Sequence, residues 1–244
     1  MTNQYHNVKF YRFLITALIF WGATYVSVAD EIASPSLLLA NQTSSNLASS
    51  SQFATYLGGS SVDDCDGIAV DAAGYVYLAC HSNSKEFPGQ NGRKDSNDVD
   101  AYVSKLDPRT GKLVYTTRLG GNNFDVAYAV EVGKDGSVIV AGSTSSADFP
   151  TTEDAIQRTF GGDIDIFVAK LNPAGVIEYA TYLGGGDKDF VRGMAVDGKE
   201  RIYLTGMTLS ANFPGVRKLD LRKKDEKGDA FIASLRLHEK GSLR

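Results

Sequence analysis

The chain has 244 residues, of which 43% are hydrophobic and 22% charged, a composition typical of a folded protein rather than a disordered one. Its formal net charge of −4 provides no broad basic surface, so binding to nucleic acid is not expected. The 25 glycines and 12 tyrosines suit many short strands joined by tight turns.

The first 29 residues have the layout of a secretory signal peptide. Lys9 and Arg12 give a positive start, residues 13–23 are mostly apolar, and residues 27–29 read Ser-Val-Ala. We therefore predict cleavage between Ala29 and Asp30, with an uncleaved membrane anchor as the alternative. The mature protein is expected to be secreted, periplasmic or on the cell surface, without a membrane segment of its own. Residues 30–50 follow as a linker rich in Ser and Asn.

A short motif returns three times in the rest of the chain. It reads Thr-Tyr-Leu-Gly-Gly at 55–59, Thr-Arg-Leu-Gly-Gly at 117–121 and Thr-Tyr-Leu-Gly-Gly at 181–185, so successive copies lie 62 and 64 residues apart. A period of this length indicates a repeat architecture. We divide residues 51–244 into units of about 51–115, 116–180 and 181–244.

Each unit contains the pattern of four short strands, which we name A to D. In the first unit, strand A (67–71) and strand B (75–79) flank an Asp-x-x-Gly turn typical of a hairpin. Strand C (100–106) follows a loop that contains Phe87-Pro88, and strand D (113–119) ends in the next Leu-Gly-Gly. The second unit repeats this order, and the third ends before a fourth strand.

Four strands in succession are what one blade of a β-propeller needs, so the sequence predicts an all-β fold of about three blades. A lone strand over Phe53–Leu57 is expected to supply the strand missing from the third blade. Propellers usually have four to eight blades. Three blades therefore either form an open arc, are a shortened relative of a longer protein, or are completed by oligomerisation, in which case two chains would give six blades.

The motifs resemble the bacterial SBBP β-propeller repeats. The resemblance rests on Tyr-Leu-Gly-Gly, Ile-Ala-Val-Asp at 68–71, Asp-Phe-Pro at 148–150 and Phe-Val-Ala-Lys-Leu-Asn-Pro-Ala-Gly at 167–175, and it extends over residues 51 to about 237. It implies an exported or cell-surface bacterial propeller and assigns no catalytic residue or ligand. The Ile-Ala-Val-Asp hairpin alone also resembles NHL propeller repeats.

Two cysteines remain outside the signal segment. Cys65 and Cys80 are expected almost opposite each other across the first hairpin, and an exported protein can form disulfides. A Cys65–Cys80 disulfide is one interpretation. Two separate small core residues are the other.

Aspartates recur at two positions of the repeat. Asp63, Asp125 and Asp189 follow each Leu-Gly-Gly, and Asp100, Asp165 and Asp229 stand at the entrance to strand C. Carboxylates that recur once per blade are expected to accept backbone hydrogen bonds in turns rather than to catalyse a reaction. The alternative is a calcium site using Asp98 with Asp100 and Asp163 with Asp165; otherwise no metal or cofactor site is predicted.

The sequence favours a non-enzymatic binding or scaffold module for a protein or glycan partner, with a homo-oligomer as one assembly. The recurring Phe87, Phe149 and Phe213 are expected to wedge between blades rather than to form a sugar-binding shelf. The competing hypothesis is an extracellular polysaccharide lyase or hydrolase, for which only Asp64, Asp66 and His81 are candidates. A third hypothesis is a truncated propeller remnant without independent function.

Overall fold

The computed structural model describes residues 54–90, 98–197, 201–215 and 228–236. The predicted signal peptide (1–29) and linker (30–50) lie outside these residues. The described residues form 11 β-strands and no helix. None of them therefore belongs to a helix long and apolar enough to cross a membrane.

The strands occur in three consecutive groups along the chain. They are β1 (Asp63–Val70), β2 (Val76–Ser82), β3 (Asp100–Asp107), β4 (Lys112–Leu119), β5 (Asp125–Val132), β6 (Val138–Thr144), β7 (Asp165–Leu171), β8 (Ile177–Leu183), β9 (Asp189–Val196), β10 (Arg201–Thr208) and β11 (Asp229–Arg236).

Each group forms one antiparallel sheet in which strands adjacent in sequence are also adjacent in space. The orders are β1-β2-β3-β4, β5-β6-β7-β8 and β9-β10-β11, with three strands described in the third sheet. These are the three blades expected from the repeat spacing, and we number them one to three. The predicted all-β fold of propeller-type repeats is confirmed.

The turn that joins β1 to β2 shows why the Asp-x-x-Gly pattern predicts hairpins. Asp71 Oδ1 accepts hydrogen bonds from the backbone N–H groups of Ala73 and Tyr75, both at 2.9 Å. Gly74 has a φ of 87°, which a residue without a side chain adopts at little cost. The short polar side chain and the glycine together reverse the chain in four residues.

The first strand of every blade carries a β-bulge at the same repeat position. One residue in each strand has no partner in the register of its neighbour: Asp66 in β1, Tyr128 in β5 and Arg192 in β9. The Arg192 guanidinium carbon lies 5.5 Å from the centre of the Tyr128 ring. The bulged residues of blades two and three therefore face each other across their junction.

Most buried apolar residues that the structure describes lie in two layers, one between each pair of neighbouring blades, and a smaller cluster of Cys80, Phe87 and Tyr102 lies within blade one. The first layer joins Tyr77, Ala79, Ala101 and Val103 of blade one to Val130, Val138, Val140 and Phe167 of blade two. The second joins Ile139, Ala141, Ile166 and Val168 of blade two to Val191, Ile202, Leu204 and Phe231 of blade three. Strands alternate their side chains between two faces, so blade two buries both faces in these layers.

The phenylalanines of the three Phe-Pro motifs belong to the core. Each ring packs against the aromatic side chain of the third strand in its own blade, with ring centres 4.4 to 4.7 Å apart. The pairs are Phe87 with Tyr102, Phe149 with Phe167, and Phe213 with Phe231. Phe149 and Phe213 are each part of an interblade layer. The predicted wedge is confirmed for Phe149 and Phe213, whereas Phe87 packs with Cys80 and Tyr102 within blade one. The sugar-shelf alternative is wrong because all three rings are at most 5% exposed.

The lone strand expected over Phe53–Leu57 does not form in the part of it that the structure describes. Residues 54–57 adopt no strand, and Tyr56 is fully exposed. Phe53 lies outside the described residues. The sequence of this segment matches the end of strand D in the other units, but it pairs with no strand that the structure describes. A strand needs a neighbour for its backbone hydrogen bonds, so the motif alone does not form one.

Candidate functional site

The long loops between strands B and C and the connections between blades lie at one end of the sheets, which we call the loop end. Its first component is the aspartate that begins the first strand of each blade, β1, β5 or β9, for which we now keep the name strand A. In blade one this strand begins four residues before the predicted start at Gly67. In every blade this carboxylate accepts a hydrogen bond from the N–H of the second glycine of Leu-Gly-Gly. The pairs are Asp63 with Gly59 at 2.9 Å, Asp125 with Gly121 at 2.9 Å, and Asp189 with Gly185 at 2.7 Å. The predicted turn role of these aspartates is confirmed.

A serine from the following B–C loop completes this network. Ser146 Oγ donates to Asp125 Oδ2 at 2.8 Å and accepts from the N–H of Asn123 at 2.9 Å. Ser210 bonds in the same way to Asp189 and to the N–H of Asp187. Each connection between blades is thereby tied to the B–C loop beside it. The loop end is a hydrogen-bonded framework, with its buried bonds in blades two and three, rather than a set of separate loops.

The aspartates at the entrance to strand C have different partners in blades one and two. Asp100 Oδ1 accepts from Arg118 Nη2 at 2.9 Å, and this contact raises the pKa of the Arg118 guanidinium. Asp165 Oδ2 accepts from the Gly161 N–H at 2.7 Å and from Gln157 Nε2 at 3.2 Å, both neutral donors. Tyr182 stands at the repeat position of Arg118, so the second junction has a neutral residue where the first has a cation.

Burial changes the ionisation of two carboxyl groups at these junctions. Loss of hydration raises the pKa of Asp125 from its ordinary value to about 6, against the lowering effect of its hydrogen bonds. The pKa of Asp165 is also raised to about 6, again mainly by burial. Both side chains are fully buried. These groups therefore titrate close to neutral pH.

In each calcium pair suggested by the sequence, the two carboxylates differ in burial. Asp163 is exposed whereas Asp165 is fully buried, and Asp98 is partly buried while Asp100 is fully buried. Residues two apart in a regular extended segment lie on the same face. The unequal burial of the two aspartates in each pair indicates that the backbone is not regular at these positions. Within the residues that the structure describes, no three His, Cys, Asp or Glu side chains are grouped so as to hold a metal ion.

The three candidate residues of the enzyme hypothesis lie on β1 and β2 of blade one. Asp66 Oδ2 is 3.4 Å from His81 Nδ1, with 39% and 22% of these side chains exposed. Asp64 is the register partner of His81, but its Oδ1 accepts from the N–H of Cys65. The structure thus brings Asp66 and His81 into contact. Their equivalents in blade two are Tyr128 and Ser143, so this pair is not repeated there.

Cys65 and Cys80 are opposite each other in the register of β1 and β2 and are bonded as a disulfide. Cys80 is fully buried with Phe87 and Tyr102, while Cys65 lies exposed. The equivalent of Cys80 in blade two is Gly142, whose place is covered by the Phe167 ring. The disulfide belongs to the outer face of blade one rather than to the loop end.

A further feature of the loop end was missed by the sequence reasoning. The residue directly before strand A is exposed and apolar in two blades, Val62 at 68% and Phe124 at 46%. Their backbone N–H groups are held by Asn83 Oδ1 at 3.0 Å and Ser145 Oγ at 3.1 Å. The third blade has the exposed Lys188 there. Aligning the units on Leu-Gly-Gly would have shown this position, which the search for recurring carboxylates passed over.

Comparison with known proteins agrees with this architecture. The SBBP family, described as a β-propeller repeat, matches residues 52–88 and 178–214. No curated protein matches the chain. Both matched segments run from just before Leu-Gly-Gly to the Phe-Pro motif, and they include strands A and B of blades one and three. The chain is therefore built of β-propeller-type repeats, and these two segments are similar to SBBP repeats.

Proposed function

We propose that the protein is an exported, non-enzymatic binding module that holds a protein partner at its loop end. The observation that carries this proposal is the exposure of Val62 and Phe124 at one repeat position on a hydrogen-bonded framework. Exposed aromatic and aliphatic side chains on a rigid base lose little entropy on binding, which favours recognition. Export is supported by the layout of residues 1–29 and agrees with a disulfide in the fold.

A protein partner is favoured over a glycan by the mixture of side chains at this position. The series Val62, Phe124 and Lys188 combines an aliphatic, an aromatic and a basic group. Protein interfaces bury such apolar groups at their centre and place charges at the rim. A glycan platform would instead need flat aromatic rings exposed in several blades, and the recurring Phe-Pro rings are buried.

The test uses a random peptide library displayed on phage, with the full-length protein as the immobilised target. Peptides selected on the wild type are measured against Val62→Ser and Phe124→Ser, and a loss of at least tenfold in affinity is expected. Val176→Ser is the matched control, because Val176 is 59% exposed in the β7–β8 turn at the other end of the blades. Peptides that bind all three variants equally would overturn the proposal.

A glycan array probed with the same proteins identifies the class of partner. Glycan binding that Phe124→Ser abolishes and Val176→Ser retains would replace the protein partner by a glycan. Absence of binding to both libraries would also contradict a binding module that works through this position.

The contact between Asp66 and His81 favours one second candidate, the extracellular polysaccharide lyase or hydrolase. A histidine beside a carboxylate can act as a general base, and here Asp66 Oδ2 lies 3.4 Å from His81 Nδ1 with both side chains partly open to solvent. The test is release of reducing ends and of unsaturated products from a panel of bacterial and plant polysaccharides. Turnover that His81→Gln and Asp66→Asn remove, but Asp64→Asn retains, would establish the enzyme and displace the binding module.

A further inference from the structure

Two sheet faces at the ends of the three-blade series expose apolar side chains. The third-blade face consists of Tyr203, Thr205, Ala230 and Ile232, all exposed, with Ile232 at 85%. The first-blade face carries exposed Cys65, Ile68 and Val70, with Ile68 at 68% and Val70 at 58%. Exposed apolar groups concentrated on a sheet face are a sign of an interaction surface.

The internal repeat shows what normally covers each face. Ile232 occupies the repeat position of Val103 and Val168, which are fully buried by the following blade. Ile68 occupies the position of Val130, which is 5% exposed because it packs on the preceding blade. The third-blade face is thus equivalent to a surface that receives a following blade. The first-blade face is equivalent to a surface that packs on a preceding one.

We propose that the third-blade face binds the first-blade face of a second copy of this chain. Two copies arranged head to tail around a twofold axis make this contact twice and close a ring of six blades. Six is within the usual range of propellers, and closure covers both exposed faces. The new junction continues the interface that already joins blades one, two and three.

The charges of the bulged residues favour this head-to-tail order. The bulges carry Asp66 in blade one, Tyr128 in blade two and Arg192 in blade three, and Arg192 already contacts the Tyr128 ring of the preceding blade. In the closed ring, the next bulge after Arg192 is Asp66 of the second copy, so opposite charges meet.

A backbone contact between blades supports the same junction. The first N–H of β5 donates to the carbonyl of Val99 at 2.8 Å, and the first N–H of β9 donates to the carbonyl of Ile164 at 2.7 Å. Each acceptor directly precedes the third strand of the preceding blade. At the new junction the corresponding groups are the N–H of Asp63 and the carbonyl of Gly228. Asp63 and Asp229 are only partly buried, whereas their equivalents in the internal junctions are fully buried.

The experiment is the molar mass of the full chain by size-exclusion chromatography with light scattering, at several tens of micromolar. We expect twice the 26.2 kDa of one chain. Ile232→Glu places a charge on the third-blade face and should give a monomer, while Val176→Glu should remain a dimer. A monomeric wild type, a larger open assembly, or a dimer that Ile232→Glu leaves intact would overturn the proposal.

Exchange of the two charges tests whether a variant dissociates because the Asp66–Arg192 pair is lost or because the chain no longer folds. Asp66→Arg alone and Arg192→Glu alone should each raise the dissociation constant at least tenfold. The double variant restores an opposite pair and should recover most of the affinity. Circular dichroism of each variant checks that the sheet content is unchanged. A double variant no tighter than either single one would refute the proposed pairing.

Discussion

Replacement of Asp125 by Asn tests how burial acts on the carboxylates that join the blades. Asp125 is fully buried, and loss of hydration raises its pKa from the ordinary 3.8 to about 6. The folded protein therefore binds this proton more tightly than the unfolded chain. The stabilisation is fully present below about pH 4 and is lost as the pH rises through about 6.

The magnitude follows from the size of the shift. A shift of about two pKa units corresponds to about 3 kcal/mol, since one unit is about 1.4 kcal/mol. Asn removes the charge, and its amide oxygen can still accept from the Gly121 N–H and Ser146 Oγ. Asp125→Asn should therefore be about 3 kcal/mol more stable than the wild type at pH 8.

The assay is urea unfolding followed by circular dichroism at a series of pH values from 4 to 8. The difference in unfolding free energy between variant and wild type should decrease by about 3 kcal/mol from pH 8 to pH 4. Asp165 titrates in both proteins, so its contribution cancels in this difference. Asp135→Asn is the control, because hydrogen bonds from Ser137 lower the pKa of this exposed carboxyl and its difference should be flat from pH 5 to 8.

Two results would refute the reasoning. One is a difference for Asp125→Asn that does not vary between pH 4 and pH 8. The other is a variant less stable than the wild type at pH 8. Either result would show that the ionised Asp125 is stabilised in the folded protein by interactions additional to its hydrogen bonds from Gly121 and Ser146.

Three further changes test the packing of the blades by the same unfolding measurement. Replacing Cys65 and Cys80 together by Ser should cost about 3 kcal/mol, because the bond closes a loop with a sequence separation of 15; an unchanged midpoint under oxidising conditions would contradict this. Phe149→Ala should cost about 3 to 5 kcal/mol and Phe124→Ala about 0.5 or less, since only the first ring is buried. Gly120→Ala should cost more than about 2 kcal/mol, because the added methyl would collide with two buried carboxylates; tolerance of this change would show that the junction can relax.

The blades could be predicted from the sequence because the signals of strands A to C occur in three units at nearly equal spacings of 62 and 64 residues. The hairpin turn after Asp71 was predictable for a local reason, since its hydrogen bonds and the positive φ of Gly74 involve only neighbouring residues. The lone strand at residues 53–57 was predicted wrongly where the structure describes it, because a strand depends on a partner that the motif does not encode.

The loop end was only partly predictable for the same reason. Recurrence of the aspartates indicated a structural role before any contact was known. The different environments of Phe124 and Phe149 could not be read from their identity, since burial depends on which blade packs against each ring. The hydrogen bond between Arg118 and Asp100 could not be predicted from the sequence. Its only sign there is that Arg118 stands where the other two units have Tyr.

That single Arg makes the two internal junctions chemically different. It pairs with the buried carboxylate of Asp100 where blades one and two meet, whereas Asp165 accepts only from neutral donors where blades two and three meet. Burial nevertheless raises the pKa of a carboxyl group to about 6 at both junctions, through Asp125 at the first and Asp165 at the second. Mildly alkaline surroundings therefore weaken both internal junctions of the array rather than one end of it.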